Sequence, residues 1–196
     1  MKPLLLTPVN RFRKCIVTAF ALMLVTGCGF AATIYTAALN GATETPVNAS
    51  TASGFATLTL TGNSLFVDIS FNGLSMPAAA AHIHCCVPPG TNTGVSLPFP
   101  GFPAVTTSAS DYTNTFDLTL LNVYTAGFLA ANGGTAAGAE AALIAGLNSG
   151  KAYVNIHDSL FPGGEIRGFA AVVTPEPATI GLCAAALVGL AFRKRK

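Results

Sequence analysis

Gly54-Phe-Ala-Thr-Leu-Thr-Leu-Thr61, then Gly62-Asn63, then Ser64-Leu-Phe-Val-Asp-Ile-Ser-Phe71 read as a single unit. In the second run Leu65, Val67, Ile69 and Phe71 fall on one side, and Phe66, Asp68 and Ser70 on the other. In the first, Ala56, Leu58 and Leu60 alternate with Phe55, Thr57 and Thr59. Successive side chains of a strand point to opposite faces, so period-two alternation predicts two half-buried strands. The Thr61-Gly62-Asn63 junction is short and built of turn formers, which joins them as a β-hairpin.

Outward from this hairpin, Thr33–Leu39, Ala79–His84, Thr113–Leu121, Lys151–His157 and Glu165–Val173 read as further strands. In Thr113–Leu121, Phe116, Leu118 and Leu120 share one face. Gly41–Ser53 reads as a loop. So does Cys85–Asp111, which holds Pro88, Pro89, Pro98, Pro100 and Pro103; a loop this long is more often functional or mobile than filler. Thr125–Ala131 reads as a helical turn. Ala136–Leu147 is alanine-rich, with Ala139, Leu143 and Leu147 at four-residue spacing, and predicts a helix stopped by Gly150. The expected fold class is all-β: an antiparallel β-sandwich with one short helix.

Cations are concentrated at the two ends of the chain. Residues 32–174 carry only Lys151 and Arg167 against seven carboxylates. An acidic domain does not bind phosphate backbones, which excludes nucleic acid as a partner. Residues 1–31 read as a secretory signal: a basic stretch to Lys14, an apolar run from Cys15 to about Thr26, and a small-residue cleavage site at Ala31. Val25-Thr26-Gly27-Cys28 offers the alternative of lipidation at Cys28. Either route uses the secretion translocon. Between the terminal segments only Cys85 and Cys86 remain, and adjacent cysteines cannot staple distant segments even in an oxidising compartment.

At the other end, Pro175-Glu176-Pro177 precedes an uncharged run over 178–192 and then Arg193, Lys194, Arg195 and Lys196. The prolines forbid helix or central strand at the junction. The run suits a short transmembrane helix whose basic end stays cytoplasmic. This combination resembles the PEP-CTERM sorting signal. The resemblance implies an exosortase-type processing enzyme acting at Pro175, Glu176 and Pro177, transient membrane insertion, and delivery to the cell surface or extracellular matrix of a Gram-negative bacterium. The domain reading is thus a signal peptide at 1–31, a folded domain at 32–173 and a sorting signal at 174–196.

The chain has three histidines, all in strand context. His82 and His84, two apart in a strand, share a face, with Ile83 opposite. His157 shares its parity with Asn155 and Tyr153, while Val154 and Ile156 take the other face. Glu165 and Arg167 share a parity, with Ile166 opposite. If these strands are neighbours, one polar face gathers His82, His84, His157, Glu165 and Arg167. Three neutral imidazoles with an open position suit zinc or copper. Cys85 and Cys86 are weaker candidate ligands, and free thiols or a disulfide between them are equally open. A hydrogen-bonded polar cluster without metal is the competing reading.

Ala81-His-Ile-His84, Tyr153-Val-Asn-Ile-His157 and Phe161-Pro-Gly-Gly-Glu-Ile-Arg-Gly168 together resemble the CHRD domain over roughly Thr33–Val173. The resemblance implies an immunoglobulin-like β-sandwich with a likeness to copper/zinc superoxide dismutase. A dinuclear dismutase site needs about six histidines and an aspartate, and three histidines cannot build it. No phosphate-binding glycine loop, zinc-protease helix or nucleophile elbow occurs. No catalytic residue is assigned and the chain is expected not to be an enzyme. The expected function is an exported surface or exopolysaccharide-matrix protein whose CHRD domain binds or builds, with extracellular polysaccharide or surface proteins as partners. The alternative is a single-metal domain, redox-active or not, using His82, His84 and His157.

Overall fold

The computed structural model describes residues 31–107 and 112–173. The expected signal segment up to residue 30, including Cys28, and the expected sorting segment 174–196, including Pro175–Pro177 and the apolar run 178–192, lie outside them. Among the described residues no helix is long and apolar enough to cross a membrane.

Among the described residues nine antiparallel strands carry the fold: β1 (Thr33–Asn40), β2 (Ser53–Thr61), β3 (Ser64–Asn72), β4 (Ala78–Cys85), β5 (Val95–Pro98), β6 (Tyr112–Asp117), β7 (Ala152–Asp158), β8 (Ile166–Phe169) and β9 (Ala171–Val172). Two helices, α1 (Ala126–Ala131) and α2 (Ala136–Asn148), fall between β6 and β7. The all-β class is as expected; among the described residues the helical turn expected over Thr125–Ala131 is α1, and the expected helix is α2.

The hairpin read from sequence is present in full register, Ser53↔Asn72 through Thr61↔Ser64. Gly62 takes a positive φ of 56° in its two-residue turn, a conformation that costs glycine little. Ala56, Leu58, Leu65, Val67 and Ile69 are fully buried while Phe55 and Phe66 face solvent, as the alternation requires. On either side, β1 pairs with β2 and β6 with β3.

The strands form one path, β5-β4-β7-β8-β1-β2-β3-β6. The C-terminal strand pair makes it continuous. β8 pairs with β7 and, through Arg167↔Asn40, with β1, and β9 then pairs with β1. The path curls so that its two halves share one core. Tyr35, Leu58 and Ile69 from one half and Ile83, Val154 and Ile156 from the other belong to the same buried cluster. Ala139, Leu143 and Leu147 of α2 join it, on the face that their spacing predicted. Each helix starts on a threonine cap: Thr125 accepts from Phe128 N and Thr135 from Gly138 N.

Two strand expectations are corrected. The stretch expected as a loop from Cys85 to Asp111 contains β5, which pairs with β4 through His82↔Pro98 and Ile83↔Leu97. The strand expected over Thr113–Leu121 ends at Asp117, because Asp117 Oδ1 accepts from Thr119 N and turns the chain. Leu120 is therefore 48% exposed instead of sharing the buried face of Phe116 and Leu118.

Candidate metal centre

β4 and β7 are antiparallel neighbours with His82↔Asn155, His84↔Tyr153 and Ala80↔His157 in register. Ile83, Val154 and Ile156 are each 0% exposed and turn into the core. The pleat then sends His82, His84 and His157 to the opposite face. His82 and His84 are two apart on one strand, and His157 lies one diagonal step from His82 across the ladder. The ring centroids are 5.7 Å (His82–His84), 5.1 Å (His82–His157) and 6.0 Å (His84–His157) apart.

One ring nitrogen from each histidine lies within 4.8 Å of the other two, and among the described residues this is the one such group of His, Cys, Asp or Glu side chains. Three atoms so spaced always leave some point within about 2.8 Å of all of them, against zinc–nitrogen bonds of about 2.0–2.1 Å. Small rotations of the rings therefore reach ligating distance.

Hydrogen bonds select which nitrogens face inward. His84 Nδ1 bonds the Thr93 carbonyl at 2.8 Å, and His157 Nδ1 bonds the Pro162 carbonyl at 3.1 Å. A carbonyl only accepts, so each Nδ1 carries the proton and each Nε2 keeps a free lone pair. His84 Nε2, His157 Nε2 and His82 Nδ1 are buried and have no protein partner. Buried polar atoms are normally satisfied, so three orphans in one cluster point to something outside the protein. Fixing the outer ring nitrogen on a carbonyl is also how metal-ligating histidines are oriented.

Burial disfavours the imidazolium form of all three. It is the main cause that lowers His82 to about 4, with His157 and His84 nearby adding to it. Burial likewise lowers His84 and His157, each opposed in part by its carbonyl hydrogen bond. The rings are neutral near pH 7 and available as ligands.

Beside the triad lies a buried ion pair that sequence reading did not find. Arg167 Nε donates to Glu44 Oε2 at 2.6 Å, with both side chains no more than 2% exposed. Asn155 Nδ2 donates to Glu44 Oε1 at 2.5 Å. Arg167 Nη2 donates to Asn92 Oδ1 at 2.7 Å and to the Thr45 carbonyl at 3.3 Å. The guanidinium carbon sits 4.7 Å from the Tyr153 ring centre, and Tyr153 stacks on His84 at 4.7 Å. Arg167 thus ties the loop carrying Glu44 to the loop carrying Asn92 and Thr93, and Thr93 in turn orients His84. Glu44 sits in a stretch of small polar residues with no motif around it, so no sequence signal marked it.

Glu165 was expected on this face and is not there. β8 begins only at Ile166, and just before it the chain turns at Gly164, where φ is +124°. Glu165, 0% exposed, instead accepts from Ser50 Oγ at 2.6 Å and from Ser75 N and Oγ at 2.9 and 2.8 Å. Asp158 has a local role as well, accepting from Met76 N and Phe161 N.

Cys85 and Cys86 are joined to each other as a disulfide and are not part of the histidine cluster. Cys85 follows His84 and so points to the other side of β4. Both sulfurs lie against α2, where Cys86 Sγ is 3.3 Å from the Ala142 carbonyl. A Cβ at Gly146 would run into both of them.

A β-domain with a tris-imidazole corner on its outer face describes the class. Residues 35–170 match the family model of the CHRD domain, and the chain belongs to that family. Residues 173–196 match the PEP-CTERM protein-sorting motif. That motif implies export and membrane-anchored sorting in Gram-negative bacteria by an exosortase-type system. No curated protein and no solved structure matches the chain.

Proposed function

We propose that this exported CHRD protein holds one copper or zinc ion at the surface or in the matrix of its cell, through His82, His84 and His157. The observation that carries the reading is the set of three buried, unpartnered imidazole nitrogens within one small volume. Their chemistry agrees with it. Neutral imidazoles suit zinc and copper, and the absence of a carboxylate in the cluster disfavours calcium and magnesium. Three protein ligands also leave a position for an outside group. The reading is of a binding protein and assigns no catalytic residue. Its architecture is the immunoglobulin-like, dismutase-like sandwich, supported by two halves of antiparallel sheet around one core.

The test is metal analysis of the processed protein, purified from its own cells without a histidine tag. The expected result is close to one copper or zinc per chain, lost in His82→Ala/His84→Ala with the fold kept by circular dichroism. A metal-free protein that also fails to bind added copper and zinc at pH 7 refutes the reading.

A second role, contact with extracellular polysaccharide or surface proteins, is supported by export and by an exterior with few charges and many threonines. Thr36, Thr57, Thr59, Thr113 and Thr115 lie on one outer sheet face with Asp68 and Asp117 as its charged groups. Retention of the protein on isolated matrix polysaccharide tests this role, and elution in the void volume speaks against it.

A further inference from the structure

β9 runs antiparallel to β1 and toward its first residues, and Val173 N donates to the Ile34 carbonyl at 2.8 Å. Ile34 pairs across with Thr59, and Thr59 with Phe66. Val173, Ile34 and Phe66 thus share one row at one end of the sheet, and all three side chains are exposed. β6 ends at the same level, because Asp117 pairs with Ser64 beside the hairpin turn. Leu120 and Leu121 follow it and are exposed as well. The chain continues toward its sorting signal from this end. Four residues, Thr174 to Pro177, separate Val173 from the uncharged run over 178–192.

We propose that this end of the domain docks on the lipid surface in the membrane-anchored precursor, with Ile34, Phe66, Leu121 and Val173 set into the boundary between headgroups and acyl chains. This rests on the anchored stage that the sorting motif implies, and not on the metal reading. Four residues reach at most about 14 Å even when fully extended. The headgroup layer takes up about 5–7 Å of that on each side of a bilayer. While the run over 178–192 is inserted, the row carrying Val173 is therefore held at the surface. Exposed apolar side chains rimmed by polar ones, here Thr59, Thr61 and Thr115, mark such contacts. Phe and Leu are suited to the shallow, apolar side of an interfacial contact. The short tether also raises the effective concentration of lipid, so a contact too weak to hold a free domain suffices. The charged groups toward this end are Lys151 against Asp117 and Glu140, which sense each other's charge. Anionic headgroups offer it no net attraction, so the partner is zwitterionic lipid met through apolar contact. Met76 and Leu160 are exposed too, but they flank β4 and β7 at the opposite end, where no anchor holds them to a surface.

The chain has no tryptophan, so a single introduced one is an unambiguous reporter. Phe66→Trp and Leu121→Trp report on the docking end and Leu160→Trp on the other. β7 runs between the two ends over seven residues, about 20 Å. The precursor, its signal removed and residues 174–196 intact, is reconstituted in phosphatidylcholine vesicles whose acyl chains carry bromine near the headgroups. The expected result is bromine quenching and blue-shifted emission for Phe66→Trp and Leu121→Trp, and neither for Leu160→Trp. Adding Ile34→Asp, or the uncharged Ile34→Asn, should restore emission of Phe66→Trp while circular dichroism stays that of the wild type. Flotation of the vesicles reports anchoring separately. A chain that floats with them and is quenched at no position overturns the docking and leaves the anchored stage standing. A chain that does not float removes the anchor and the proposal with it. Equal quenching of Leu160→Trp shows a domain with no preferred end and also overturns the proposal. A blue shift without bromine quenching, growing with protein density, assigns this end to a second copy of the chain and overturns the lipid assignment.

Discussion

Replacing Glu44 by glutamine tests how the two loops beside the histidines are held. Arg167 and Glu44 are 1% and 2% exposed, and their Nε–Oε2 contact is 2.6 Å. The glutamine side chain keeps the size of the original and an acceptor for Asn155, but removes the charge that offsets the guanidinium. Asn92 and the Thr45 carbonyl remain as neutral acceptors for Arg167. Breaking one partner of a buried pair typically costs about 3–5 kcal/mol, because the other charge stays buried and unpaired. A domain of this size has a total stability of only about 5–15 kcal/mol, so the variant should sit near the edge of folding. Urea unfolding at pH 7 followed by circular dichroism measures the difference. The double variant Glu44→Gln/Arg167→Met should recover part of the loss, since no orphaned charge is left. Raising the salt concentration should change the wild type little, because a buried pair is weakly screened. A loss below about 1 kcal/mol, the range of exposed pairs, refutes the reasoning.

Three further outcomes follow from the same structure. The metal-free protein should lose stability as the pH falls from about 6.5, the ordinary histidine value, toward the value of about 4 to which burial lowers His82, and should be level in this respect above it. In that window the unfolded chain binds protons that the folded state refuses; unfolding midpoints measured against pH should show a shallower slope in His82→Asn. Gly146→Ala should lower the melting temperature by the equivalent of about 1–3 kcal/mol of overpacking, because the new methyl meets both sulfurs of Cys85 and Cys86. A rise in melting temperature, the outcome of helix propensity alone, would show that α2 can step aside. Deletion of residues 175–196 should leave the folded domain intact but abolish its delivery to the surface, as read by cell fractionation.

Period-two alternation made most strands and both faces of β4 and β7 legible before any coordinates. Burying Ile83, Val154 and Ile156 leaves the histidines no other side. What stayed hidden has physical causes. β5 is four residues between glycine and proline, too short for a period to show, and only its pairing with β4 holds it as a strand. Glu165 defeated the parity rule because the rule holds within a paired strand, and β8 starts one residue later. Glu44 lies far from Arg167 in sequence and is brought to it by the closing of the sheet through β1 and β8. Whether Cys85 and Cys86 are free thiols, ligands or a disulfide could not be read from their spacing, since adjacency permits each.

The most direct test of the central claim is the coordination of the bound ion. X-ray absorption on the zinc- or copper-loaded protein should show three imidazole nitrogens at about 2.0–2.1 Å plus one light donor. His157→Ala should reduce the imidazole count by one and weaken binding, because His157 is the ligand that β7 brings to the pair on β4. An oxygen-only shell, or a spectrum and affinity unchanged in His157→Ala, would contradict the account.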